Sequence, residues 1–270
     1  MQCQVLSLVD HETAIIEMTV TGSWGRPLWQ QAHDSVRENL SAHPPGLLLD
    51  LKYLEDPAAG SAPLWLSVGE QAARLQPPVP VAACLPIGSV LTERLERLGA
   101  RRRLTVDADL EEVRAALNDR RPSTDQIRLK LAPEPIAAAV VRDLIRAACQ
   151  EWHLETLLPR AQLVVSELVG NSVEHAGTYL DFVVTRLGPL RRGIVRGPSR
   201  LRVSVYGRDP QLPRLPAPEL SYTGPHEQRG YGLRIVEAAA RSWGALPTPD
   251  GKVVWAVLHD DTPVTPAPRR

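Results

Sequence analysis

The sequence predicts an α/β protein, with an α/β layer followed by a second unit of α+β character. The first observation is the length of 270 residues, because one domain usually holds about 100–200 residues. The second is that short apolar runs typical of strands alternate with amphipathic segments typical of helices. The third is charge: residues 1–120 hold 11 basic and 16 acidic residues, whereas residues 121–270 hold 20 and 15. Opposite net charges favour two separate domains.

The first predicted domain, residues 1–117, has the order ββαβαβαβα. Its predicted strands are 5–9, 14–20, 46–51, 79–85 and 104–106, and its predicted helices are 27–40, 62–75, 89–98 and 109–117. The spacing of Leu91, Leu95 and Leu98 predicts one buried face on the third helix. Either Asp107 or Asp109 is expected to cap the fourth helix.

A polar, charged segment at residues 118–125 contains a proline and is predicted to be the linker between the domains. The second domain is predicted to span residues 126–260, followed by a disordered tail at 261–270. Its predicted strands are 126–131, 179–187, 200–206, 245–247 and 253–258, and its predicted helices are 135–152, 157–174 and 232–242.

The composition excludes several classes of protein. Hydrophobic residues make up 43% and charged residues 23%, which is typical of globular domains and excludes a disordered or collagen-like chain. The net charge is zero, so we expect neither direct nucleic-acid binding nor membrane binding by the chain as a whole. The chain also lacks a signal-peptide pattern and a long apolar run, so we expect a cytoplasmic protein. Its three cysteines (Cys3, Cys84 and Cys149) lack disulfide or metal-site spacing and are expected to be small buried thiols.

Polar residues interrupt the apolar pattern of the helix predicted at 157–174. Glu167 and Asn171 are one turn apart and therefore share a face. An asparagine carbonyl oxygen suits Mg²⁺, and a nearby carboxylate can deprotonate a hydroxyl that attacks a phosphoryl group. Taken alone, the pair is more simply interpreted as solvated side chains.

A glycine-containing turn, Arg229-Gly230-Tyr231-Gly232-Leu233, precedes the last predicted helix. Glycines at the start of a helix let backbone N–H groups approach phosphates at its positive end. Alone, such a pair of glycines more often marks only a turn.

The order of these elements resembles the GHKL ATPase (Bergerat) fold, and within it the anti-sigma-factor serine kinases of bacterial partner switching. The resemblance covers about residues 126–258 and includes segments 210–214, 243–244 and 251–256. It implies ATP and Mg²⁺ as cofactors, with Asn171 as the metal ligand and Glu167 as the catalytic base. The other implied cofactor-binding residues, under a lid at 210–228, are Arg229, Gly230, Gly232 and Leu233. A solvated Arg229 is the alternative.

One position departs from the resembled family. After the strand that ends at Tyr206, the family has an aspartate that reads the adenine amino group, whereas this chain has Gly207. Asp209, two residues further on, is the candidate replacement. A site that loses one hydrogen-bonding partner of a buried polar group loses much of its selectivity, so adenine recognition is in question.

The run from Leu47 to Asp56, placed after two strands and a helix, resembles a STAS domain, the fold of anti-sigma-factor antagonists. The resemblance covers about residues 3–117. Such domains carry a phosphorylatable serine after the aspartate, but here Pro57 follows Asp56. We therefore predict that this domain is not phosphorylated in the usual way, with Ser61 as the alternative acceptor. A simple turn before a helix also explains Asp56-Pro57.

Together the two resemblances imply a partner-switching regulator, an ATP-dependent serine kinase fused to a STAS module. Its expected partners are a sigma factor, a STAS-type antagonist, or both, and a serine of the antagonist is the candidate target of phosphorylation. The resembled kinases are commonly dimeric, so a homodimer is an expected form. The alternative is a catalytically degenerate binding scaffold, motivated by Pro57 and Gly207. A metabolic enzyme is disfavoured because no nucleophile constellation is present.

Overall fold

The computed structural model describes residues 3–120, 125–187, 200–213 and 231–259. The chain forms two compact units, one made mainly of residues 1–123 and the other mainly of residues 124–270. The predicted tail, most of the predicted lid, and the predicted site residues Arg229 and Gly230 lie outside the described residues.

The first unit is a mixed sheet with four helices. Its strands are β1 (Gln4–Val9), β2 (Ile16–Ser23), β3 (Leu47–Asp50), β4 (Leu54–Glu55), β5 (Val81–Cys84) and β6 (Thr105–Asp107). Its helices are α1 (Arg26–Ser41), α2 (Ala62–Arg74), α3 (Val90–Arg97) and α4 (Leu110–Asp119). The strand order is β1-β2-β3-β5-β6, antiparallel between β1 and β2 and parallel elsewhere, and the short β4 also pairs with β2. The two-residue strand β4 was not predicted, because two residues carry no periodicity.

The central strands β3 and β5 are buried along their whole length, as expected of parallel strands covered on both faces. Helix α4 packs on one face, where Val113 and Leu117 contact Leu48 and Ala82. Trp65 of α2 is fully buried.

Two local predictions for α3 and α4 have different outcomes. Asp109 is the N-cap of α4, with its carboxylate accepting from the backbone N–H groups of Glu111 and Glu112. The predicted buried face of α3 is wrong at Leu98, which is 52% exposed. The helix ends at Arg97, and the chain turns at Gly99 in the left-handed region (φ 77°), so Leu98 no longer follows the helical period.

In the residues that the structure describes, the second unit is a five-stranded sheet with three α-helices. Its strands are β7 (Gln126–Leu131), β8 (Leu180–Leu187), β9 (Arg200–Gly207), β10 (Ser242–Thr248) and β11 (Gly251–His259). Its helices are α5 (Ala137–Trp152), α6 (Leu158–Ala176) and α7 (Tyr231–Ala239). The strand order is β10-β11-β9-β8-β7, antiparallel between β7, β8, β9 and β11. Both units therefore confirm the predicted α/β fold class.

Helix α7 is shorter than predicted, because Ser242 begins β10 instead of ending the helix. The backbone N–H of Arg241 already donates to the carbonyl of Val257, 2.8 Å away in β11. Gly244 then lies against the Trp255 ring, where a β-carbon would come within 2.8 Å of Cζ2. Pairing with β11 thus ends the helix earlier than the alanine-rich sequence suggests.

One face of the second sheet forms the core with the helices. Its residues in β9 and β11 alternate along the strands and pack with the apolar residues of α6. These strand residues are Leu201, Val203, Val205, Val254, Ala256 and Leu258. By the same alternation, Gly207 and Lys252 lie on this helix-covered face, and they are directly opposite each other in the register.

The cysteines differ in exposure, which corrects the expectation of three buried thiols. Cys84 and Cys149 are buried, but Cys3 is exposed. Burial raises the pKa of the Cys149 thiol to about 11 and also raises the pKa of the Cys84 thiol. Among the described residues, no helix has both the length and the apolar composition needed to span a membrane.

We expect iodoacetamide at pH 8 to modify Cys3 alone in the native protein. At that pH, a thiol with a pKa near 11 has roughly 100-fold less reactive thiolate than a free cysteine. Mass spectrometry after timed quenching should show one modified cysteine, and all three after denaturation. Equal labelling of Cys3 and Cys149 in the native protein would contradict this expectation.

Candidate functional site

The two predicted catalytic residues lie on the same face of α6. Glu167 and Asn171 are one turn apart, and both are half-buried. Between them, Leu168 and Val169 are buried in the core that the helix shares with the sheet. The apolar face therefore fixes the helix, and the polar pair is left at the edge of the core.

The first turn of α7 lies directly against this pair. A β-carbon at Gly232 would be 2.5 Å from Glu167 Oε2 and 3.5 Å from Asn171 Nδ2. Any side chain at this position would therefore displace the Glu167 carboxylate. The fold thus brings Gly232 close to Glu167 and Asn171, although Glu167 and Gly232 are 65 positions apart in the sequence. Leu233, which follows Gly232 and is also a predicted site residue, is buried.

A second cluster of polar residues, the ion pair of Asp209 and Lys252, lies at the end of β9. The Asp209 Oδ2 atom lies 2.6 Å from Lys252 Nζ, which also donates to the carbonyl of Gln211 at 2.5 Å. Asp209 Oδ1 accepts from the backbone N–H of Gln211 at 3.0 Å. The ion pair is largely shielded, with the side chains of Lys252 and Asp209 12% and 23% exposed. Asp209, the predicted replacement for the missing aspartate, is thus held by a lysine.

Lys252 is held in position because the backbone of β11 at Gly251 comes very close to the backbone at the end of β9. A β-carbon at Gly251 would lie 2.2 Å from the Gly207 carbonyl oxygen and 2.6 Å from Arg208 Cα. Only glycine fits here, and the next residue, Lys252, pairs with Gly207. The sequence analysis did not single out Lys252. Its spacing of two and four residues from Val254 and Ala256 would have predicted that it shares their face of the strand.

The ion pair and the α6 pair lie towards the same end of the second unit. Helix α6 ends at Ala176, and β8 begins four residues later at Leu180. At this end of the sheet, Asp181 pairs with Tyr206, next to Gly207. The C-terminal half of α6 and the end of β9 are therefore at the same end of the sheet.

The loop before α2 in the first unit is organised by Asp56. Its two carboxylate oxygens accept from the backbone N–H groups of Gly60 and Ser61, each at 2.8 Å. Ser61 is fully buried, and its Oγ has no hydrogen-bond partner in the described part of the chain. The hydroxyl of Ser61 is therefore shielded from an external enzyme.

Beside this loop is a cleft of about 410 Å³ at the carboxyl ends of β3 and β5. Its lining is mostly apolar and includes Leu51, Leu85 and Leu91. Val90, which lines the cleft, is 47% exposed, and Ile87, which follows the lining residue Pro86 in sequence, is 90% exposed. An apolar surface of this kind is typical of an interaction site.

The described residues contain no cluster of three or more histidine, cysteine or acidic side chains that would hold a metal by themselves. Mg²⁺ needs no such cluster, since it usually takes one or two protein oxygens and completes its shell with phosphates and water. The Asn171 carbonyl oxygen is a suitable ligand of this kind. Because Gly232 has no side chain, the backbone at the start of α7 comes close to Asn171 and Glu167, and backbone N–H groups at a helix start are suited to bind phosphate.

No protein-family model matches this chain, and no curated protein matches it either. Among solved structures, it is similar to the crystal structure of an anti-sigma factor antagonist from Mycobacterium paratuberculosis. The sequence identity is 15% and the TM-score 0.37, over 43% of this chain and 96% of that chain. At this TM-score the match carries no conclusion, and the fold is defined by the strand order and helix packing of the two units themselves.

Proposed function

We propose that this chain is a cytoplasmic regulator of the partner-switching type, with a partner-binding STAS-type first unit and a nucleotide-dependent kinase as its second unit. The first unit has the strand and helix order expected of a STAS domain, with the short β4 added. The second unit has Glu167 and Asn171 on one helix, an antiparallel sheet, and Gly232 in the first turn of α7, and these features support the resemblance to the anti-sigma-factor kinases. A homodimer, common among those kinases, belongs to the same proposal.

The contact between Gly232 and the Glu167–Asn171 pair carries this proposal. A glycine at the start of a helix, a carboxylate and an amide oxygen are the groups that phosphoryl transfer requires close together. Because Gly232 is far in sequence from Glu167 and Asn171, their contact depends on the fold and not on local sequence.

Each residue has a separate role in the proposed reaction. A bound Mg²⁺–nucleoside triphosphate supplies the phosphoryl group, with ATP the nucleotide that the resemblance implies. Asn171 would hold the metal through its side-chain oxygen, and the backbone N–H groups at the start of α7 would bind phosphate oxygens. Glu167 orients the acceptor serine hydroxyl and takes its proton. Arg229, Gly230 and the backbone of Leu233 remain predicted phosphate contacts.

The acceptor serine belongs to a separate STAS-type antagonist in this proposal. Within the first unit, Pro57 has no hydroxyl and Ser61 is buried. The apolar cleft beside Asp56, with exposed Ile87 and Val90, is the surface that we assign to a protein partner, a sigma factor or an antagonist.

Calorimetry with Mg²⁺ and either ATP or GTP, up to millimolar nucleotide, tests the nucleotide site. We expect saturable binding of at least one nucleotide that disappears when Mg²⁺ is chelated. Incubation with γ-labelled nucleotide and a serine-bearing STAS antagonist then tests transfer. If neither nucleotide binds at millimolar concentration, the kinase proposal fails.

A binding scaffold without catalysis is the second candidate. It is favoured by Gly207, which has no side chain, and by Asp209, whose carboxylate is already paired with Lys252. This candidate predicts that no nucleotide binds and that capture of a protein partner by the first unit does not change when Mg²⁺–nucleotide is added.

A further inference from the structure

A charged side chain is buried on the face of the second sheet that is opposite α6. Six residues of β9 and β11 that alternate with the core residues are only 0–5% exposed and form a layer that we call the second face. They are Arg202, Ser204, Tyr206, Val253, Trp255 and Val257. We infer that the second face binds a small oxyanion, a phosphate or a carboxylate, at Arg202. Because Glu167 and Asn171 are on the other side of the sheet, this site is separate from the proposed nucleotide site.

Arg202 has no counterion in the described part of the chain. The residue is 5% exposed, and its Nε atom is fully enclosed without a hydrogen-bond partner. Burial lowers the pKa of Arg202, but a guanidinium starts from a pKa above about 12 and therefore remains charged at neutral pH. A buried charge without a counterion strongly disfavours the folded state. An anion bound at Arg202 would remove this cost.

The neighbouring strands do not supply the missing negative charge. Thr185 of β8 and Val257 of β11 are directly opposite Arg202 in the register. Among the described residues of β8, β9 and β11, the acidic residue on this side of the sheet is Asp181, which pairs with Tyr206. Tyr206 is four residues from Arg202, about 13 Å along the strand, so Asp181 is not adjacent to Arg202. A counterion for Arg202 therefore has to come from outside these strands.

The polar groups beside Arg202 suit an oxyanion. A guanidinium is a planar donor of five N–H groups that pairs bidentately with phosphate or carboxylate oxygens. Ser204 is the next residue of the second face on β9, and Thr185 is opposite Arg202, so each can add a hydroxyl donor. Val183 and Val257 are buried beside them, and apolar surroundings strengthen charge-assisted hydrogen bonds. The small exposed fraction of Arg202 admits a small ion and not the surface of a protein.

Scanning calorimetry of the full chain in sodium phosphate and in sodium chloride of equal ionic strength, with EDTA in both, tests the inference. We expect tens of millimolar phosphate to raise the melting temperature of the unaltered chain by about 3–5 °C more than chloride does. Arg202→Met should lose this gain. Without phosphate it should melt no lower than the unaltered chain, because the substitution removes an unpaired buried charge. A parallel series in sodium acetate tests the carboxylate, and a gain from acetate in place of phosphate also supports the site.

Arg146→Met is the matched control, because Arg146 is exposed on α5 and paired there with Asp143. Phosphate also stabilises proteins generally, since it is excluded from their surfaces. The control should keep both this general effect and the specific gain, whereas Arg202→Met should keep the general effect alone.

Three results would overturn the inference. The first is an equal gain from phosphate in the unaltered chain and in a folded Arg202→Met variant, because the anion is then bound elsewhere. The second is no gain over chloride from either phosphate or acetate in the unaltered chain. If Arg202→Met does not fold, Arg202→Lys decides the question, because lysine keeps the charge but loses the planar pair of donors. The gain should then fall by about half or more, and an unchanged gain is the third such result.

Discussion

Replacing Asn171 with alanine is expected to abolish Mg²⁺-dependent nucleotide binding. Asn171 is the only residue that we assign to the metal, so its loss removes the protein's hold on the cation. We expect a reduction in affinity of about 100-fold or more, measured by calorimetry. The residue is half-buried at the edge of the core, so the melting temperature should change little.

Glu167→Gln separates binding from chemistry at the same site. The amide keeps the size of the side chain beside Gly232 but cannot accept the serine proton. We expect nucleotide affinity to be retained and phosphoryl transfer to fall by about 10²–10⁴-fold. Glu151→Gln, an exposed glutamate at the end of α5, is the control.

The pair of variants tests the assigned roles together. If Asn171→Ala binds Mg²⁺–nucleotide as the unaltered chain does, Asn171 is not the metal ligand. If Glu167→Gln transfers phosphate at the original rate, the carboxylate is not the base. Should both variants behave normally, the pair is only a solvated face of α6.

The candidate site shows which parts of a structure a single sequence predicts. The shared face of Glu167 and Asn171 follows from helical period alone, and the structure places both residues on α6 as expected. The contact of Gly232 with both residues could not be derived this way, because it depends on how α7 packs on α6. The glycine in the sequence shows only that the start of this helix could come close to another part of the chain, and not which part.

The Lys252–Asp209 pair was missed for a related reason. Asp209 was considered as an acceptor, but its partner is 43 residues away in another strand. The register that places Lys252 opposite Gly207 is set by strand pairing, which local sequence does not specify. Leu98 shows the same limit within one element, since its exposure depends on where α3 ends.

Gly251→Ala is expected to destabilise the second unit by about 3 kcal/mol. The added β-carbon would lie 2.2 Å from the Gly207 carbonyl oxygen and 2.6 Å from Arg208 Cα. Both are backbone atoms, so no side-chain rotation relieves the overlap, and β11 must move away from β9. For a unit of this size we expect a loss of about 10 °C in melting temperature, measured by circular dichroism.

Gly170→Ala is the matched control, and it should change stability in the opposite direction. Gly170 lies inside α6, and apart from the backbone of the helix itself no atom of the described residues would come within 4 Å of its added β-carbon. Alanine is the better helix former, so we expect a gain of about 0.5–1 kcal/mol. Because Lys252 follows Gly251, displacement of β11 should also weaken the Lys252–Asp209 ion pair. Equal stabilities of the two variants would show that the approach of β11 to Gly207 tolerates a side chain, and that Lys252 is not held in place by this glycine.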